Sequence, residues 1–278
     1  MANPIYPCIW YNGQAQEAAA FYCSVFSDSK IVSENPAAVI FEINGKKIMG
    51  LNGGPMFTIN PSISFFIYCP SVEETDQVWK GLMAGGKALM PLDTYPWSKR
   101  YGWVQDKFGM TWQVMLNEES TSGQNLTPSF LFTRERFGRA EEAIRFYTSV
   151  FDNSRTEVMV HYPKEGAHAG KVLFSEFYLN DYFLIAMDGP GVHDYSFNEG
   201  VSFVVECETQ EAIDHYWNAF TKAGEEGQCG WCKDQFGVSW QIVPSILGEL
   251  MNDPEKGQRV MAAFLKMKKF DIATLVNA

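Results

Sequence analysis

Four histidines, two close cysteines and a few acids are the residues with which this chain could do chemistry. His161 and His168 flank a loop holding Pro163 and Gly166, and a hairpin there could bring both imidazoles near Glu176. Three such donors would suit a divalent metal, but a site needs three or four that converge, and exposed loop histidines are the plainer expectation. Cys229-Gly230-Trp231-Cys232 spells Cys-x-x-Cys. No second pair exists for a zinc ribbon, and the segment runs into a strand, whereas a thioredoxin-type thiol sits at a helix N-terminus. Glu42 and Asp93 remain as carboxylates for acid–base work without a metal. The nearest approach to a glycine-rich cofactor loop, Gly189-Pro190-Gly191, lacks the third glycine and a following helix pattern. Walker, HExxH and GxSxG strings are absent, so nucleotide hydrolysis, zinc proteolysis and serine hydrolysis are not indicated.

Aromatic residues give the richer signal. The run Pro91 to Trp103 carries Tyr95, Trp97, Arg100 and Trp103, and reads as a loop that lids a planar or anionic ligand. Trp112 alternates with Gln113, and Trp240 with Gln241, so in a strand one of each pair faces a ligand and the other packs under a helix. With Trp231, these residues are the candidate lining: Trp112, Gln113 and Trp240 join the lid residues.

The elements that must position them come in duplicate. Ala15 to Ser29 (AQEAAAFYCSVFSDS) and Ala140 to Ser154 (AEEAIRFYTSVFDNS) share nine of 15 positions without a gap. Trp103 to Gln113 is echoed at Trp231 to Gln241, each containing Asp-x-Phe-Gly and a later Trp-Gln. A period this long is a duplicated domain and not a solenoid. Apolar residues at helical spacing predict a helix over Gln14 to Phe26. Asn44-Gly45 predicts a hairpin turn between strands at Ala38–Ile43 and Lys47–Leu51. Ser71 with Glu74 forms a capping box for a second helix. The order is β-α-β-β, with room for one more strand, given four times. The expected domains are residues 1–118 and 128–245, joined by a polar linker at 119–127 and followed by a helical tail at 246–278.

Composition narrows the class. With 22 Lys+Arg against 33 Asp+Glu, the net charge of −11 and the lack of a basic stripe exclude nucleic acid as a partner. No apolar run approaches the length of a membrane span, and the start lacks a cationic, hydrophobic leader, so no membrane partner and a cytoplasmic location are expected.

The repeated βαβββ module resembles the vicinal oxygen chelate superfamily of glyoxalase and bleomycin-resistance proteins. EAIRFYTSVF, Gly53-Gly54-Pro55, CGWCKDQFGVSWQIVP and the tail DPEKGQRVMAAFLKMKKFDIATL are similar to the PhnB-like family, labelled 3-demethylubiquinone-9 3-methyltransferase. The resemblance implies an α+β chain of two tandem domains, each built of two modules that form a half-open sheet cup. It implies a pseudo-dimer within one chain, with a homodimer also open, and a small-molecule ligand in the cup. It also implies a divalent metal held by His and Glu, yet the matching positions read Pro7, Ser62 or Gly200, Gln113 and Gln241, leaving only Glu42 as a ligand-type carboxylate. No cofactor is therefore expected. The resemblance places Cys229 at the cup. The expected function is ligand binding without a metal, and the alternative is an enzyme on a small aromatic or oxygenated metabolite, the labelled methyltransferase included.

Overall fold

Asn44 and Gly45 both adopt positive φ, 51° and 69°, the mirror-image turn that matches the twist of two adjacent strands. They join β3 (Ala38–Ile43) to β4 (Lys46–Asn52), as the sequence predicts. The computed structural model describes residues 4–118 and 125–278. The chain opens with β1 (Ile5–Tyr11), α1 (Ala15–Val25) and β2 (Ser29–Glu34), completing one βαβββ module. The second is β5 (Ile63–Cys69), α2 (Val72–Leu82), β6 (Lys87–Tyr95), β7 (Ser98–Gln105) and β8 (Thr111–Leu116). The third is β9 (Asn125–Phe132), α3 (Ala140–Val150), β10 (Arg155–His161), β11 (Val172–Leu179) and β12 (Tyr182–Asp188). The fourth is β13 (Val201–Cys207), α4 (Gln210–Thr221), β14 (Glu225–Glu226), β15 (Trp231–Lys233) and β16 (Ser239–Pro244). The extra strand in each module is thus present. Part of the expected linker, 119–124, lies outside the described residues, and its remainder belongs to β9, where Asn125 and Thr127 pair with Tyr68 and Phe66.

Local chemistry fixes the helix starts. Ser71 accepts from the Glu74 amide at 3.2 Å, as the capping box requires. α1 and α3 have no cap of their own. The Ala15 amide donates to Asn52 at 2.9 Å, and the Gly138 and Ala140 amides donate to Asp188 at 2.7 and 3.2 Å, so the end of β4 or β12 caps the helix of its own module.

Strand pairing runs across the sequence halves. One eight-stranded sheet reads β14-β15-β16-β13-β1-β4-β3-β2, joining the first module to the fourth. The other reads β10-β11-β12-β9-β5-β8-β7-β6, joining the third to the second. The seams are antiparallel: Cys8 faces Ser202 across β1 and β13, and Ser64 faces Ser129 across β5 and β9. One face of each sheet packs into a shared core with α1 to α4, and Phe130 of the second sheet meets Phe203 of the first at 5.0 Å. The other face of each sheet, its open face, lies away from that core and carries a smaller apolar cluster whose central residues are buried. Three helices, α5 (Leu247–Asn252), α6 (Gly257–Phe264) and α7 (Ile272–Val276), form the tail, whose Val260, Phe270 and Leu275 are fully buried.

Candidate functional site

Strand alternation sorts the candidates between core and open face. Trp112 and Trp240 are fully buried on the core side, and their indole N–H groups donate to Asp106 and Asp234 at 2.7 and 2.8 Å. This corrects their assignment as ligand-lining residues: they pack under the helices against Phe26 and Phe151. Their neighbours Gln113 and Gln241 hold the open faces. The repeated Asp-x-Phe-Gly motif is explained by the same geometry. Asp234 accepts from the Tyr147 hydroxyl, the Trp240 indole and the amides of Phe236 and Val238, and Asp106 does the same with Tyr22, Trp112, Phe108 and Met110. Each motif ties the first helix of a half to the last strands of that half, so it is a structural device.

On the second sheet, Phe66, Tyr101 and Ile185 form a compact layer on the open face, edged by Tyr68, Trp103, Met115, Phe174 and Met187. Beneath it the Tyr101 hydroxyl donates to Gln113 Oε1 at 2.5 Å, and Gln113 Nε2 donates to Ser64 Oγ at 2.8 Å. Three buried polar atoms on this face, Trp103 Nε1, Thr127 Oγ1 and Ser129 Oγ, have no partner among the described residues. The segment expected as a lid loop is instead the long hairpin β6–β7. Tyr95 stacks on Trp97 at 5.0 Å, both meet Tyr101 edge-on, and Trp97 at the tip is 56% exposed. A cleft of about 410 Å³ opens beside this tip, lined by Tyr95, Trp97, Lys99, Met115 and Glu118 among others.

Several other candidates fall elsewhere. Arg100 alternates with Tyr101 and reaches the helix side, where it pairs with Asp76 of α2 at 2.5 Å, so it does not share the open face. Asp93 stands opposite Tyr101 in the β6–β7 ladder, but at its exposed edge, and accepts from the next amide, that of Thr94. Cys229 lies away from either open face, under the tail. Its backbone amide donates to Met267 O and its thiol contacts Phe264 O, and burial raises the thiol pKa. The two tail contacts correct its placement at the cup.

The first sheet's open face carries Tyr6, Cys8 and Val204, with Met49, Leu51 and Val243 against them. Trp231 lies there, 5.8 Å from Trp10, and Gln241 donates to Ser202 Oγ at 3.0 Å. Glu42 is on this face too, paired with Lys30 at 3.0 Å. Lys47 bridges to Glu206 at 2.7 Å and sits 3.9 Å over the Tyr6 ring, while Tyr6 donates to the same carboxylate oxygen. This network fills one end of the face.

Register also corrects the metal positions. Pro7 pairs with Phe203 on the core side, so the open-face positions are Cys8, Ser202 and Gln241 in the first sheet and Ser129, Ser64 and Gln113 in the second. Hydroxyls and amides are poor donors for such ions, and the Gln113 oxygen is already occupied by Tyr101, so these residues do not fit a divalent metal. Burial holds the Cys8 thiol up at about 12, so it offers no thiolate near neutrality. Nor do His161 and His168 meet Glu176. His161 Nε2 is 2.8 Å from Glu141, His168 sits between the Phe137 and Tyr162 rings, and no group of three His, Cys, Asp or Glu that could hold a metal occurs among the described residues. Gly189-Pro190-Gly191 leads into an irregular segment and not a helix. Among the described residues, no helix is long and apolar enough to cross a membrane.

Sequence reasoning missed Phe66, Tyr68, Phe174, Ile185 and Met187. Their only signal was alternation with the core residues of the same strands.

Comparison with known proteins agrees with this architecture. Maize glyoxalase I aligns with a TM-score of 0.60 at 12% identity, over 87% of this chain and 93% of that one, which shows a common fold. The PhnB protein of Bacillus cereus is 35% identical over 40% of this chain and 98% of its own, with a TM-score of 0.38. A search of curated proteins finds no match. The model of one family, described as 3-demethylubiquinone-9 3-methyltransferase, matches twice, at residues 3–115 and 124–243. With both halves matched, the chain belongs to that PhnB-like family and holds two tandem copies of its glyoxalase-type domain.

Proposed function

We propose that this chain is a small-molecule-binding protein that takes a flat, largely apolar ligand on the open face of the second sheet, without a metal. The observation that carries this is the lining beside the β6–β7 hairpin: the partly exposed rings of Tyr68, Trp103 and Phe174 with the thioethers of Met115 and Met187. The first sheet is the weaker candidate, because its own Lys47–Glu206–Tyr6 network occupies the face and its β14–β15 hairpin is short.

Titrating the purified chain with coumarin, followed by tryptophan emission, is the test. Saturable quenching is expected, with Tyr68→Ala weakening the apparent affinity about tenfold, the scale of a buried aromatic contact. Quenching that Tyr68→Ala leaves unchanged would remove the second sheet as the site. Elemental analysis of the same sample should find no stoichiometric divalent metal. One bound ion per chain would overturn the metal-free reading.

The family description favours a second reading, a methyl-transferring enzyme on a phenolic substrate. It requires a site for S-adenosylmethionine, and stoichiometric binding of that cofactor to the full chain would establish it over the first.

A further inference from the structure

Glu176 is the residue on the second sheet for which the structure supplies no role. It lies on β11 between Phe174 and Tyr178, on the same face as Phe66 and Tyr68, and it has no ion-pair partner among the described residues. Its cross-strand neighbours are apolar. Ile185 is its direct neighbour on β12, Val158 is its neighbour on β10, and the Tyr68 ring is close enough to feel its charge. Burial first, then the nearby Glu157, raises its pKa, as expected of a half-buried carboxylate without a counter-ion.

The row that contains Glu176 continues across the sheet. Strand register places Glu176 beside Ile185, Ile185 beside Ser129, and Ser129 beside Ser64. With strands ~4.8 Å apart, the carboxylate and the unpartnered Ser129 hydroxyl are separated by about 10 Å, with an apolar side chain between them. The same face already holds a cation on an aromatic ring: the Arg155 guanidinium lies 3.9 Å over Tyr178, where Glu157 at 3.1 Å pairs with it.

Building on the binding reading above, we propose that the open face of the second sheet is a site for an organic cation. Its ammonium group is countered by Glu176 and walled by Tyr68 and Phe174. Its flat body lies along the partly exposed Phe174 and Met187 side chains, above the buried Ile185. A carboxylate and aromatic faces together attract a desolvated ammonium more strongly than either does alone.

Isothermal titration of the full chain with 2-phenylethylamine, 2-phenylethanol and phenylacetate compares one ring carrying a cationic, a neutral or an anionic group. The amine is expected to bind about tenfold more tightly than the alcohol, a difference of ~1.4 kcal/mol, and phenylacetate more weakly than either. In Glu176→Gln the amine and alcohol should converge, whereas Glu157→Gln should keep the preference. Alcohol and amine binding alike, or a preference that survives Glu176→Gln, would overturn the counter-ion assignment and leave the binding reading standing. Absence of binding by all three compounds would overturn both.

Discussion

Asp234→Asn is expected to lower the unfolding free energy by about 3 kcal/mol or more, because hydrogen bonds to a buried charge contribute roughly 1.5–3 kcal/mol each. The carboxylate is 4% exposed and accepts four hydrogen bonds, from Tyr147 at 2.7 Å, Trp240 and Phe236 at 2.8 Å and Val238 at 3.1 Å. All four partners are donors. An asparagine keeps the size but turns an NH₂ group towards two of them, so either the Tyr147 and Trp240 pair or the two amides lose their acceptor. Because Tyr147 is on α3 and Trp240 on β16, the loss separates a helix from the strand beneath it. Asp106→Asn should behave alike through Tyr22 and Trp112. Urea unfolding monitored by tryptophan emission measures both. A loss under about 1 kcal/mol would show that solvent or a side-chain shift replaces the acceptor.

Residues 1–118 expressed alone are expected to form a homodimer, with no folded monomer. In the whole chain β1 borders β13 and β5 borders β9, and both seams lie in the middle of a sheet. Cutting the halves apart therefore exposes two inner strands, with buried residues on both faces of each, as new edges. Such edges pair with whatever complementary strand is present. The β1 of one copy and the β5 of another offer the antiparallel pairing that β1–β13 and β5–β9 make in cis, with two-fold symmetry. Light scattering after size exclusion would show a species of twice the half-chain mass whose folding depends on concentration. A folded monomer would mean that the two modules of one half can close on each other, contrary to the pairing seen here.

The duplication, the four modules and most helix and strand positions were legible in the sequence because they rest on local signals. The Asn44-Gly45 turn, the Ser71 cap and the spacing of Ala15, Ala18 and Tyr22 each act within a few residues. The repeated FYxSVF and Asp-x-Phe-Gly strings were visible too, and the structure explains why they travel together: Tyr22 and Tyr147 reach the aspartates of their own halves across 84 and 87 residues.

The candidate site was less legible. Sequence shows that Trp112 and Gln113 point opposite ways, but only packing shows which way is inward. The indole goes to the core, where Asp106 meets its N–H, and the amide is left for the open face. Arg100 was misplaced for the same reason, since one step along β7 moves a side chain from the aromatic face to α2. Cys229 was displaced by the tail, which packs over it through Met267 and Phe264. Pairing between halves was beyond the sequence altogether. β5 and β13 are corresponding strands of the duplicated modules, so β1 could pair with either, and only the assembled core, with Phe130 against Phe203, selects β13. Local chemistry thus determined what the elements are. The sharing of one core between two sheets decided which residues are left on the open face of each sheet.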